Sequence, residues 1–209
     1  MVRARPDKNE TVPAMHERVM AAFNELEDDF WSFNWERPPV AQEPGTQPAE
    51  IISMTRYLPK RVKGEVSYAN RKHLEDRGAH DDYFACDFIP KNVDYEAAVS
   101  TFFPACISGL SAYVGEIFDQ EFAHVDGIEG RRVNSREGVY RIQPVNFFDK
   151  ELCRRAFDKT PAAIVKLLRG EVESVERFND GVMIILSSSV MTMEEADTLG
   201  GEVKKLLTS

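Results

Sequence analysis

Val172-Glu173-Ser174-Val175-Glu176-Arg177-Phe178, Asn179-Asp180-Gly181, Val182-Met183-Ile184-Ile185-Leu186 is the stretch whose reading decides the fold. Asn179-Asp180-Gly181 sets residues that accept a positive φ between two apolar arms, the pattern of a tight antiparallel hairpin. The second arm is apolar on both faces, which predicts a central strand. Downstream, Thr192-Met193-Glu194-Glu195 reads as a capping box that opens a last helix with Ala196, Leu199, Val203 and Leu206 turned inward. Upstream, Thr160-Pro161 is an N-cap followed by proline at the first helical position. Ile164, Val165, Leu167 and Leu168 give that helix its buried side, and Gly170 stops it. Asp149 caps a shorter helix carrying Leu152, Cys153, Ala156 and Phe157. Val139 to Gln143 alternates as a strand that Pro144 ends.

The first half mixes the same elements. Met15, Val19, Ala22 or Phe23, Leu26 and Phe30 recur at helical spacing and predict a helix from about Val12 to Asp28. Phe30, Trp31, Phe33 and Trp35 follow it, just before a Pro-rich loop from Arg37 to Pro48. Ile51 to Tyr57 and Glu65 to Tyr68 read as strands paired across the Pro59 to Gly64 turn. Tyr83 to Ile89 alternates, with Phe84, Cys86 and Phe88 on one face. Asp94 is a good N-cap for a central helix whose stripe is Val99, Phe103, Cys106, Leu110, Val114 and Ile117. Pro104 inside that stripe predicts a kink or break near Phe102. Strands and helices alternate without a βαβ rhythm, so the expected class is α+β. One mixed or antiparallel sheet should carry helices mainly on one face. Residues 1–10 are polar and read as a mobile arm. Residues 11–209 read as a single domain in which 11–48 supply the first helix and the Pro-rich loop.

Charge is unevenly distributed along the chain. Asp81 to Glu129 holds ten of the 35 acidic residues and one basic residue, Lys91, so its net charge of −9 equals that of the whole chain. The same segment contains the longest predominantly apolar run, Val99 to Phe118. An acidic surface mounted on a core helix repels nucleic acid and anionic membranes and favours cationic partners. No apolar run reaches the length of a membrane span, and the first ten residues lack the apolar centre of a secretion signal. Cys86, Cys106 and Cys153 are odd in number and widely spaced, which predicts reduced, buried thiols and a cytoplasmic location.

Three constellations could carry chemistry. Glu121 and His124 are spaced i, i+3, and Asp126 could complete a carboxylate and histidine set for a metal-dependent hydrolase. A lone E-x-x-H is a common pattern, and a metal needs three or four converging ligands. His80-Asp81-Asp82 could orient an imidazole toward Cys86, but Cys86 should share an inward face with Phe84 and Phe88. Ser187-Ser188-Ser189 lies between a strand and a capped helix, where anion sites occur, although it has neither a glycine-rich loop nor a lysine. The aromatic cluster Phe30 to Trp35 would serve an adaptor or structural subunit if it were exposed. No cofactor is expected.

The acidic segment, the absence of a catalytic motif, and the tail from Val139 through Phe147-Phe148-Asp149 to Asn179-Asp180-Gly181-Val182 resemble the small acidic immunity proteins of bacterial polymorphic-toxin and secretion-effector systems. The resemblance implies a non-catalytic cytoplasmic protein that neutralises a cognate toxin, or binds another basic protein surface. The contact residues it suggests are Asp81, Asp82, Asp94, Glu96, Glu116, Asp119 and Glu121 for steering and charge pairing. Tyr83, Tyr95 and Trp35 would act as aromatic anchors.

Overall fold

In a computed structural model, which describes residues 1–32 and 37–209, the hairpin forms as its turn chemistry requires. Strands β7 (Ser174–Phe178) and β8 (Gly181–Ile185) pair antiparallel with Phe178 opposite Gly181, and Asn179 takes φ 48°. Gly181 serves a second purpose, since a Cβ there would run into the Phe148 carbonyl oxygen.

The chain divides into two compact units, Met1–Ala112 and Tyr113–Ser209. The first contains β1 (Val2–Ala4), α1 (Val12–Asn24), β2 (Ala49–Ser53), β3 (Lys63–Ala69), β4 (Asp82–Asp87), α2 (Tyr95–Ala97) and α3 (Phe103–Leu110). Its strands pair in the order β2-β3-β4-β1, each pair antiparallel. The second contains β5 (Val114–Ile117), α4 (Gln120–Arg132), β6 (Val145–Phe148), α5 (Lys150–Phe157), α6 (Pro161–Leu168), β7, β8 and α7 (Met193–Thr208). Here the order is β5-β6-β8-β7, again antiparallel. The α+β class and the antiparallel pairing are therefore as expected, and β8 is a central strand with Val182, Met183 and Ile184 buried.

Local signals are obeyed closely. Thr11, Asp149, Thr160 and Thr192 each accept an amide hydrogen bond as N-caps, and Thr192 with Glu195 makes the full capping box. Ile51 and Ile52 of β2 face Ser67 and Val66 of β3.

Four expectations are corrected. Residues 2–4 are no mobile arm: Val2 and Ala4 are buried and pair with Phe84 and Asp82 of β4. A three-residue strand is too short to show periodicity. The α1 helix stops at Asn24, before the acidic run that its dipole would disfavour. The strand expected at Val139–Gln143 forms instead beyond Pro144, as β6. Finally, the central helix ends at Leu110, so Val114 and Ile117 belong to β5.

The expected break near Phe102 takes the form of a π turn inside a continuous helix, placed where Pro104 demands it. Residues Ala98–Phe102 form a π turn, and the Phe103 N–H reaches back to the Ala98 carbonyl. Widening the turn relieves the clash between the Pro104 ring and the carbonyl four residues earlier. The end of α3 is set from a distance. Ser111 turns left-handed (φ 54°), while Arg18 of α1 donates to the Gly109 carbonyl (3.0 Å) and to Ser111 Oγ (3.1 Å), placing a cation at the helix C-terminus. No described helix is long and apolar enough to cross a membrane.

Candidate functional site

Two of the expected contact residues hold the fold together. Asp82 opens β4 at 0% exposure, and its carboxylate accepts from both terminal nitrogens of Arg71 (2.7 Å each) and from the Ala69 amide (2.9 Å). Arg71 also donates to the carbonyls of Ala69 and Glu10, so this fork ties β3 and β4 to the approach to α1. Burial pushes the Asp82 carboxyl upward, and the Arg71 hydrogen bonds oppose it. Asp81 is 4% exposed, with Arg3 at 3.9 Å. Neither residue belongs to an acidic surface, because each lies inside, facing an arginine.

Beside this fork, His16 is buried between the Pro39 carbonyl, 2.9 Å from Nε2, and the Tyr68 hydroxyl, 3.0 Å from Nδ1. A carbonyl can only accept, so Nε2 carries the proton and Nδ1 accepts from Tyr68. Burial lowers the His16 pKa and raises that of Tyr68.

Asp94, Tyr95 and Glu96 form a different environment. Asp94 is exposed and caps α2 by accepting from the Ala97 amide (2.9 Å), and its carbonyl accepts from the Trp31 indole (2.8 Å). Trp31 is fully buried, stacked on Phe102 with centroids 4.4 Å apart and with Phe88 at its edge. It therefore anchors this segment from inside, and Phe30 beside it is half-buried. Trp35 and Phe33 lie outside the described residues. Tyr95 is half-buried near Phe88, which raises its hydroxyl pKa, and Glu96 is exposed. Tyr83 is half-buried and donates to Glu65 (2.8 Å).

In the second unit, Glu116 is half-buried on β5 opposite Asn146. Asp119 caps α4 by accepting from the Glu121 amide (2.9 Å), and both of these side chains are exposed. The hydrolase set is not assembled. Asp126 accepts from Arg141 Nε (3.0 Å) and Nη2 (2.5 Å), Arg141 reaches on to Asp197, and its guanidinium covers the Phe122 ring. Gly127, at φ 48° and ψ −126°, breaks α4 just after Asp126. Among the described residues no three His, Cys, Asp or Glu side chains converge as metal ligands. The thiols are no better placed for nucleophilic work. Burial pushes Cys86 up to about 11 and Cys153 up to about 12, and holds Cys106 well above the usual thiol range. His80 Nδ1 faces its own loop, 2.8 Å from the His73 carbonyl and 3.1 Å from the Glu75 amide.

Open cavities of about 630 Å³ each lie at two places among the described residues. One surrounds the start of α1, where the cations Arg5 and Arg18 share the lining with the carboxylates Asp7, Glu10 and Asp82. The other lies along α7, where Glu194 and Glu195 read from sequence only as capping residues. The chain matches no protein family, no curated protein and no solved structure.

Proposed function

We propose that this chain is a non-catalytic cytoplasmic binding protein that neutralises a cognate toxin by offering it a rigid acidic surface, in the manner of immunity proteins. The observation that carries the reading is the segment Asp94-Tyr95-Glu96, the N-cap and first residues of α2. It presents two exposed carboxylates around a half-buried aromatic ring, on a segment fixed from below by the Trp31 indole. Preset charges steer a cationic partner without an ordering cost, and an aromatic side chain that is already packed supplies contact area. The overall charge of −9 favours such a partner and disfavours nucleic acid. With Asp81 and Asp82 turned inward, the surface is smaller than the charge pattern alone implies.

The test compares the wild type with Asp94→Asn/Glu96→Lys, which keeps a capping oxygen at residue 94. The wild type is expected to capture a basic protein from its host, to release it as salt rises, and to protect cells in which that protein is expressed. The variant should bind at least about tenfold more weakly and fail to protect, as the loss of two steering charges at an interface requires. A captured protein that harms no cell, or one held equally by the variant, would overturn the reading.

A further inference from the structure

An open groove of about 630 Å³ runs along α7. Its apolar lining is Val190, Met191 and Leu199, with Val190 58% exposed. Its rim carries Glu194, Glu195 and Glu202, and none of the described residues lining it is a lysine or arginine. Helix electrostatics account for only part of that rim. Glu195 completes the capping box and Glu194 lies in the first turn, where the dipole favours anions. Glu202 is in the third turn, beyond that influence. The acids from Glu194 to Glu202 span about 12 Å of helix, which suits a few residues of a partner chain. The connection before α7 is preset, since Glu173 accepts from the Ser188 amide (2.9 Å) and Ser187 Oγ accepts from the Ser189 amide (3.0 Å).

The composition selects the occupant. An anion at the Ser187–Ser189 connection would meet Glu173 at Ser188 and share the groove with Glu194, Glu195 and Glu202, so the position expected from sequence to suit an anion favours a cation. A second copy of the chain would bring the same acidic rim face to face, with like charges opposed. We propose that this groove docks a short protein segment in which apolar and cationic side chains alternate. Its apolar residues cover Val190, Met191 and Leu199, and its cations pair with Glu194 and Glu202. This site is independent of the Asp94–Glu96 surface.

The probe is a fluorescein-labelled 12-residue peptide alternating leucine and arginine, titrated into the full chain. It should bind saturably at one site and shift amide resonances between residues 187 and 202. A serine and arginine peptide of equal charge should bind at least tenfold more weakly. Glu194→Gln/Glu202→Gln should weaken binding about fivefold, the size expected of two partly screened ion pairs. Val190→Ser should weaken it about threefold, and Asp94→Asn/Glu96→Gln should leave it unchanged. Equal affinity for both peptides, no loss in Glu194→Gln/Glu202→Gln, or the same loss in Asp94→Asn/Glu96→Gln would show general charge attraction and overturn the proposal.

Discussion

At Asp82 and Arg71 two buried charges meet at 2.7 Å, so removing one partner strands the other away from water. Asp82→Asn should therefore cost about 3–5 kcal/mol in urea unfolding, while Arg71→Met/Asp82→Leu should recover much of the loss. A cost below 1 kcal/mol for the single change would mean that Arg71 finds water. His16 makes the matching prediction in pH. Burial depresses its folded pKa below the unfolded value of 6.5, so its contribution is complete above pH 6.5 and is lost as pH falls through the folded pKa. Stability should decline on acidification with a limiting slope of about 1.4 kcal/mol per pH unit, and His16→Gln should flatten that decline. The thiols supply a third check. With Cys86 and Cys153 held near 11 and 12, an aromatic disulfide reagent at pH 8 should titrate less than one thiol in the native protein and three after denaturation.

The α7 helix contains two adjacent glycines whose fates should differ. A Cβ at Gly200 would run into the Ile142 carbonyl oxygen, whereas a Cβ at Gly201 meets nothing within 4 Å. Gly201→Ala should gain about 0.5–1 kcal/mol from helix propensity, and Gly200→Ala should lose about 1–3 kcal/mol as α7 is forced off the Ile142 backbone. Equal effects in urea unfolding would show that α7 rides freely at that contact. The same contrast explains what could be read from sequence. Capping boxes, Thr160-Pro161 and Asn179-Asp180-Gly181 are local instructions, complete within four residues, and each formed where expected. The end of α3 is not local: Ser111 turns left-handed under a cap delivered by Arg18, far away in the chain. Likewise, the inward turn of Asp81 and Asp82 depends on Arg3 and Arg71, and charge counting along a segment cannot register such partners. Asp94 and Glu96 were legible as surface acids, while the α7 groove was hidden because Glu194 and Glu195 carried a sufficient local explanation at the helix start and Glu202 carried no signal of its own.

Charge divides almost evenly between the two units. Met1–Ala112 holds 18 acidic and 13 basic residues, and Tyr113–Ser209 holds 17 and 13, so the excess concentrated in one sequence segment belongs to both bodies. The second unit also has a core complete in itself. Phe148, Leu152, Ile164, Val182, Ile184, Val203 and Leu207 are all buried in one cluster, every member of which comes from residues 113–207. Ninety-odd residues with a closed apolar cluster lie above the size at which small domains need disulfides or metals, about 40 residues. The fragment Tyr113–Ser209 expressed alone should therefore unfold cooperatively in urea, with an m-value of about 1 kcal/mol/M. It should bind the leucine and arginine peptide with the affinity of the full chain, because the α7 groove lies wholly within it. A fragment that gives dispersed amide resonances but no binding would separate the fold from the groove. A fragment without a cooperative transition would show that the cluster, although complete in composition, draws its stability from residues 1–112.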